Sequence, residues 1–282
     1  MTPDKLSLFF NEGVNRISIG VQSFDNTKLK KLGRIHDYAM AVKAIEEARK
    51  AGFKNIGIDL MFGVWSEELL SWKTDLSKAV SLPITHISCY SLTYEKGTPI
   101  KESVKNGSII PIEEDIAADM YNLAISNLAL HGFKQYEISS FSKPGFSCKH
   151  NLNYWNNDPY IGLGPSAVSY ADGVREESVS NVSEYIKKIA CGNKPISSSE
   201  KLSPQERAKE TAALKIRTMD GIDFDWFKTK TGYEFTDLEN EAMPKLMEDG
   251  LVEYKITGSA MKGLRLTSKG ILFCDTVSSA FL

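Results

Sequence analysis

Three polar side chains stand where a parallel α/β protein would hold a ligand. Gln22 and Asp59 are polar residues among apolar neighbours, and Arg34 lies in the loop that separates them. In β/α barrels the working residues sit at the carboxyl ends of the strands and in the loops that follow. Gln22 and Asp59 could hydrogen-bond ligand hydroxyls, and the Arg34 guanidinium could hold a carboxylate at two points. Each residue also has an ordinary structural interpretation. Gln22 could cap a loop, Asp59 could be a partner in a buried salt bridge, and Arg34 could be a solvated loop charge.

A repeated pattern predicts the elements that would position these side chains. Segments that begin at Gly13, Gly52 and, more weakly, Gly132 each have a glycine that can end a helix, a bulky apolar residue and then a β-branched run. Asp37 is expected to cap an amphipathic helix that ends before Gly52. The full set of predicted elements is strands near 16–21, 55–61 and 85–91 and helices over about 3–12, 37–48, 66–82 and 113–130. Strand–helix alternation with short connections predicts parallel βα units.

The number of strands limits the architecture. Three strands are too few to close a barrel. We therefore expect a partial TIM-like (β/α) barrel, in which the front of the barrel is absent or the open half needs a partner along its first strand. An uncovered edge beside residues 16–21 would invite pairing with another chain, so self-association through this edge is expected.

The remainder of the chain predicts a loop region and a compact final module. Residues 139–182 are rich in Gly, Ser, Asn and aromatic residues and predict a structured loop region, and the Ser-rich stretch 196–199 predicts a boundary. A winged-helix pattern follows, with helices near 204–217, 223–231 and 236–249, strands 251–255 and 264–267 separated by Gly258 and Gly263, and a last helix over 268–280. The predicted domains are 1–112, the barrel portion; 113–199, a connecting region; and 200–282, a winged-helix-like domain.

Composition narrows the class of protein. The net charge of −2 gives no general attraction to nucleic acid or anionic membranes, and no apolar run approaches the roughly 20 residues of a membrane helix. The N-terminal residues have no basic region followed by a hydrophobic stretch, so no signal peptide is expected. The four cysteines, Cys89, Cys148, Cys191 and Cys274, share no short motif, which indicates reduced thiols rather than a disulfide framework or a metal set. A cytoplasmic protein is expected.

Three of the quoted segments resemble successive motifs of a known family. Residues 13–24 (GVNRISIGVQSF), 32–34 (LGR) and 58–63 (IDLMFG) are similar, in order and interval, to motifs of the radical-SAM proteins related to oxygen-independent coproporphyrinogen III oxidase. The resemblance implies that Gln22 and Asp59 hydrogen-bond the ribose of S-adenosylmethionine and that Arg34 holds its carboxylate.

The same resemblance implies a [4Fe–4S] cluster bound by a CxxxCxxC loop, followed by a glycine-rich motif, and the sequence contains neither. The chain resembles the family from the helix before the fourth barrel strand onward, so we expect the first three strands to be missing. The four scattered cysteines are not spaced to replace the loop. On these grounds reductive cleavage of S-adenosylmethionine is not expected of this chain, and its status as an enzyme stays open.

A second motif indicates the branch of the family. Residues 150–155 (HNLNYW) and 160–167 (YIGLGPSA) resemble the HNxxYW signature of the HemW heme-chaperone branch. By this resemblance His150 contacts heme; an imidazole can ligate its iron while Tyr154 and Trp155 offer an apolar surface. Without the resemblance, a packed structural histidine would be the usual interpretation, and that interpretation holds for His36, His86 and His131.

These observations favour a heme-binding protein that delivers heme to an acceptor protein. One alternative is an oxygen-independent coproporphyrinogen III oxidase, which acts in porphyrin biosynthesis. Another is a DNA-binding winged-helix module. Its recognition helix, predicted over 236–249, carries Asp237, Glu239, Glu241, Glu248 and Asp249 against Lys245 alone. A helix that faces phosphates needs the opposite charge, so nucleic acid is not expected as a partner.

Overall fold

The computed structural model describes residues 2–238, 242–258 and 260–282. The chain divides into two compact units, Met1–Ser147 and Cys148–Leu282. No helix within the described ranges is long and apolar enough to cross a membrane. The predicted division into 1–112, 113–199 and 200–282 stays a proposal.

The first unit alternates strands with helices around one sheet. Its helices are α1 (Pro3–Asn11), α2 (Asn26–Lys31), α3 (Tyr38–Lys50), α4 (Leu69–Val80), α5 (Pro99–Lys105) and α6 (Glu114–Leu130). Its strands are β1 (Arg16–Gln22), β2 (Asn55–Phe62), β3 (His86–Ser91), β4 (Lys134–Gln135) and β5 (Ser140–Ser142). The sheet order is β1-β2-β3-β5-β4; the first three strands are parallel, as predicted, and β5 runs antiparallel to β3 and β4. The described strands form an open sheet rather than a closed barrel.

Alternation along the parallel strands gives this sheet one apolar and one polar face. In β2, Ile56, Ile58, Leu60 and Phe62 are almost fully buried, while Asp59 points to the opposite face. The apolar face is covered by helices: the indole of Trp72 in α4 packs on Phe62 and donates a hydrogen bond of 2.8 Å to the Met120 carbonyl of α6. Burial of these large side chains stabilises the unit. The opposite face therefore carries the polar side chains of the strands, among them Asp59.

The helix beginnings follow the chemistry of their capping residues. Asp37 accepts a 2.8 Å hydrogen bond from the Met40 amide at the start of α3, which confirms its predicted role. Asp25 caps α2 in the same way through the Thr27 amide at 2.7 Å. Only three residues, 23–25, therefore separate the end of β1 from α2, and the cap fixes this short loop.

The second unit contains two three-stranded sheets. It begins with α7 (Lys149–Trp155), β6 (Val168–Ala171), β7 (Val174–Ser178), α8 (Val182–Ala190) and β8 (Ile196–Lys201). It continues with α9 (Pro204–Lys215), β9 (Ile222–Asp223), α10 (Phe224–Thr231), a 3-10 helix (Phe235–Leu238), α11 (Ala242–Glu248), β10 (Val252–Thr257), β11 (Ala260–Leu266), α12 (Ser268–Leu272) and α13 (Cys274–Ser279). The sheets are antiparallel, with orders β6-β7-β8 and β10-β11-β9.

Several sequence predictions for residues 139–282 were wrong. Residues 139–182 are not a loop region, because they contain β5, α7, β6 and β7. The Ser-rich stretch 196–199 is not a break, because it lies in β8 and pairs with β7 through its backbone. The last predicted helix is interrupted at Phe273 and forms α12 and α13.

The predicted helix 236–249 and the hairpin also differ in detail. A 3-10 helix ends at Leu238 and α11 begins at Ala242; Glu239 and Glu241 lie outside the described residues. Gly263 is not in the turn but within β11, where a side chain would clash with the Ile222 carbonyl of the neighbouring strand.

Candidate functional site

The parallel sheet places Asp59 at the centre of a polar row. Gly20, Asp59 and Ser88 are register neighbours on three adjacent strands, so they share one face. The Ser18 hydroxyl lies 3.5 Å from Asp59 Oδ1. Burial raises the pKa of Asp59 above its usual range, although hydrogen bonding to Ser88 and the nearby Arg16 charge oppose the shift. The row can therefore offer a half-buried carboxylate acceptor to a ligand.

Gln22 reaches this row through an irregular backbone. The pairing of β1 with β2 shifts register between Gly20 and Gln22, and Gln22 has a positive φ of 65°. Its side chain folds back over Gly20: a Cβ at Gly20 would lie 2.7 Å from Gln22 Nε2. The absence of a side chain at Gly20 therefore lets the Gln22 amide lie next to the Asp59 position. An amide donor and a carboxylate acceptor side by side can bind a diol.

Arg34 is presented by a helix-ending motif. The amides of Gly33 and Arg34 bond to the carbonyls of Lys30 and Leu29, which is a Schellman motif with Gly33 in the left-handed conformation at φ 66°. The Arg34 side chain is exposed, and no contact joins it to Gln22 or Asp59 among the described residues. The structure thus brings two of the three predicted side chains together and leaves Arg34 in a neighbouring loop.

His36 ties the Arg34 loop to the end of β1, a role that the sequence analysis missed. Its Nε2 lies 3.0 Å from the carbonyl oxygen of Val21, the residue before Gln22. Because a carbonyl can only accept, Nε2 donates in this bond. The bond holds the loop that carries Arg34 beside the strand end that carries Gln22.

A buried ionic network anchors the loops after β1 and β2. Asp75 of α4 accepts hydrogen bonds from the Ser23 hydroxyl at 2.7 Å and the Phe24 amide at 2.8 Å. Lys28 of α2 bonds to Asp75 at 3.2 Å and also to Glu67. Burial raises the pKa of Glu67 in spite of the Lys28 charge. The network fixes residues 23 and 24, which directly follow Gln22.

The histidines predicted to be structural occupy structural positions. His86 is buried in β3 with Nε2 2.8 Å from the Tyr136 hydroxyl, and burial lowers its pKa to about 3. His131 Nδ1 lies 2.8 Å from the Asn127 carbonyl at the end of α6. His86 therefore stays uncharged near neutral pH, and His131 lies at the end of α6 rather than in the parallel strands.

His150 lies in the second unit, in the first turn of α7, and is exposed. Its ring meets the Tyr154 ring edge-on with centroids 4.8 Å apart, because the two residues are four apart in one helix. Trp155 is placed differently: the Arg217 guanidinium lies 5.2 Å from its ring centroid. Of the two predicted aromatic neighbours, Tyr154 alone contacts the histidine.

Further aromatic rings continue from Tyr154 and were not predicted. Tyr154 lies 4.6 Å from Tyr160, and Tyr160 lies 6.0 Å from Tyr170, between ring centroids. Tyr160 and Tyr170 exchange two backbone hydrogen bonds of 2.9 Å, which fix the start of the loop 161–167. The sequence of this loop did not predict that it would lie next to α7, the helix that carries His150.

The cysteines do not come together. Cys89, Cys148 and Cys274 are buried, Cys191 is exposed, and all four are free thiols. Burial raises the pKa of Cys89, which disfavours the thiolate that binds iron. Within the described ranges, no group of three or more His, Cys, Asp or Glu side chains is placed to hold a metal ion. The described residues therefore do not fit the role of cluster ligands.

Two segments of the chain match known protein families. Residues 1–71 match the Radical SAM superfamily, and residues 202–273 match the HemN C-terminal domain. A solved structure of coproporphyrinogen III oxidase (HemN) from Escherichia coli, a radical SAM enzyme, superposes with a TM-score of 0.81 over 100% of this chain and 67% of that chain, at 18% identity. The parallel sheet and the C-terminal module thus have the fold of a HemN-like radical-SAM protein.

Sequence identity defines the family more narrowly. Heme chaperone HemW of Bacillus subtilis (strain 168) is 34% identical over 282 residues, which covers 100% of this chain and 73% of the relative. Heme chaperone HemW of Lactococcus lactis is 32% identical with the same coverage. The chain belongs to the HemW family.

Proposed function

We propose that this protein binds heme through His150 and passes it to an acceptor protein. The observation that carries the proposal is the placement of His150: the ring is exposed, its flank is held by Tyr154, and it has no hydrogen-bond partner in the described part of the chain. An imidazole in this setting can ligate heme iron through a ring nitrogen. The names of the relatives, heme chaperones, support this assignment.

Titration of the purified protein with hemin tests the proposal. We expect the wild type to shift the Soret band, and His150→Ala to weaken binding by roughly tenfold or more, since loss of an axial ligand removes a metal bond. His131→Ala is the matched control, because His131 is also exposed at a helix end but donates a hydrogen bond to the Asn127 carbonyl. A His150→Ala spectrum and affinity equal to the wild type would refute ligation by His150.

The first unit supplies a second set of ligand-binding groups. Gln22 and Asp59 are proposed to hydrogen-bond the ribose of S-adenosylmethionine, and Arg34 to bind its carboxylate; the adjacency of the Gln22 amide and the Asp59 row supports the first two. A [4Fe–4S] cluster would supply the electron for reductive cleavage in this superfamily. Because the described residues do not fit its ligand set, we propose binding alone for these side chains.

The proposal of binding without cluster chemistry favours heme delivery over coproporphyrinogen III oxidation. Decarboxylation of coproporphyrinogen III would need the cluster chemistry, whereas heme binding at His150 does not. The open edge of β1 is proposed to pair with a further strand, either of a second copy or of another segment, because β1 pairs with β2 alone among the described strands. The four free thiols support a cytoplasmic setting.

A further inference from the structure

We propose that Ile161 and Leu163 form an apolar seat on which the heme macrocycle rests beside His150. The inference rests on the proposed heme binding and adds residues to that same site. Ile161 is 84% exposed and Leu163 is 86% exposed. Large aliphatic side chains exposed together in this way are typical of binding surfaces.

The loop that carries the pair is fixed in place by its backbone. The Gly162 amide donates a 2.9 Å hydrogen bond to the Ser169 hydroxyl, and a side chain at Gly162 would clash with the Val168 carbonyl. The Gly164 amide donates a 3.1 Å hydrogen bond to the Tyr185 hydroxyl. The exposure of the pair is therefore a property of an ordered loop.

The two glycines are the points at which this segment is held. The Gly162 amide bonds to Ser169 of β6 and the Gly164 amide bonds to Tyr185 of α8. The two residues that flank Gly162, Ile161 and Leu163, are both left exposed. Glycine at both anchor points thus creates a surface with two neighbouring branched side chains.

Contact with the histidine helix supports heme as the occupant. Tyr160, which directly precedes Ile161, contacts Tyr154, and Tyr154 contacts His150. The seat and the iron ligand are therefore joined by two successive ring contacts. Lys149, next to His150, is exposed and has no ion pair in the described part of the chain, so it can meet an anionic propionate. Heme combines these needs: an axial iron, flat apolar faces and carboxylates at one edge.

Hemin titration of the double variant Ile161→Ser/Leu163→Ser tests the inference. We expect the affinity to fall by roughly tenfold or more, because apolar area that heme would cover is removed. The Soret maximum of the bound form should stay at the wild-type wavelength, since His150 is retained. Ile161→Ser alone should give a smaller loss.

Two controls separate a seat from a general loss of apolar surface or of fold. Ile256→Ser/Met261→Ser removes an equally aliphatic pair, 67% and 56% exposed, from the β10–β11 hairpin, and should leave the hemin affinity unchanged. Thermal unfolding of all variants should match the wild type, since every altered side chain is exposed.

The outcomes distinguish the seat from the ligand. Normal hemin affinity of Ile161→Ser/Leu163→Ser, while His150→Ala is impaired, overturns the seat and leaves the proposed function intact. Normal affinity together with loss of a dimer in analytical ultracentrifugation assigns the pair to contacts between copies and also overturns the seat. Failure of the wild type to shift the Soret band overturns both proposals.

Discussion

At the scale of single residues, two side chains of the candidate site occupy positions that lower the stability of the fold. Gln22 holds a left-handed backbone that most residues avoid, and Asp59 keeps a carboxylate where burial disfavours its charge. Both lie in the polar row of the parallel strands. Such costs are common at ligand-binding positions, where geometry matters more than stability.

Asp59→Asn should raise stability at neutral pH and weaken ligand binding. Because burial raises the pKa of folded Asp59, the folded protein holds this proton more tightly than the unfolded chain, and stability falls as the pH rises through the raised pKa. Asparagine removes that loss, so its advantage in urea unfolding should be full at about pH 7 and shrink as the pH falls toward 3.8, the ordinary value.

The same variant should bind S-adenosylmethionine roughly tenfold more weakly in calorimetry, because a charged acceptor is replaced by a neutral one. Asp119→Asn, exposed on α6, is the control and should change neither property. Lower stability of Asp59→Asn at neutral pH would contradict the assigned burial cost.

At the scale of elements, local hydrogen bonds end helix α2, and buried contacts hold the loops on either side of it. The Schellman motif after α2, the His36 bond to Val21 and the Asp75 bonds to residues 23–24 act on one loop system. Each of these contacts joins residues that are distant in sequence or that lie outside regular structure. The conformation of the strand end therefore depends on the ionic network behind it.

Lys28→Met should destabilise the first unit by about 3–5 kcal/mol, because it leaves Asp75 and Glu67 as buried carboxylates without their cation. Chemical denaturation followed by tryptophan fluorescence would measure the change, since Trp72 lies beside Lys28. Lys50→Met is the control; Lys50 is exposed and pairs with Glu47 at the surface of α3, so the loss should be far smaller than for Lys28→Met. A loss below about 1 kcal/mol for Lys28→Met would show that the network does not need its charge.

At the scale of the whole molecule, two compact units each carry one set of candidate ligand groups. The first has the Gln22–Asp59 row, and the second has His150 with the seat. The buried cysteines contribute to packing, and one thiol is left at the surface.

Thiol titration with 5,5′-dithiobis(2-nitrobenzoate) should therefore give one rapidly reacting group in the native protein and four after denaturation. Cys191→Ser should remove the rapid phase, whereas Cys89→Ser should leave it unchanged. Rapid reaction of two or more native thiols would mean that the cysteines are more accessible than their burial indicates.

The sequence was sufficient for elements whose signals are local. The pattern of a glycine followed by β-branched residues predicted β1 and β2, and Asp37 predicted the start of α3. The sequence was not sufficient where pairing is non-local. Half of the residues of β8 are serine and most are exposed, so its strand conformation depends on backbone bonds to β7.

The same limit applied to the candidate site. The strand-end rule selected Gln22 and Asp59 as candidates, and the register places Gly20, over which the Gln22 side chain folds, beside Asp59. The His36 bond and the exposure of Ile161 could not be predicted, because each depends on how distant backbone segments pack.

The exposure of His150 has a consequence for the kinetics of transfer. If His150 holds heme as proposed, its exposed position in the first turn of α7 would let an acceptor protein approach the bound heme before release. Heme would then pass by direct exchange between the two proteins. The transfer rate should consequently rise with acceptor concentration rather than level off at the rate of spontaneous heme release.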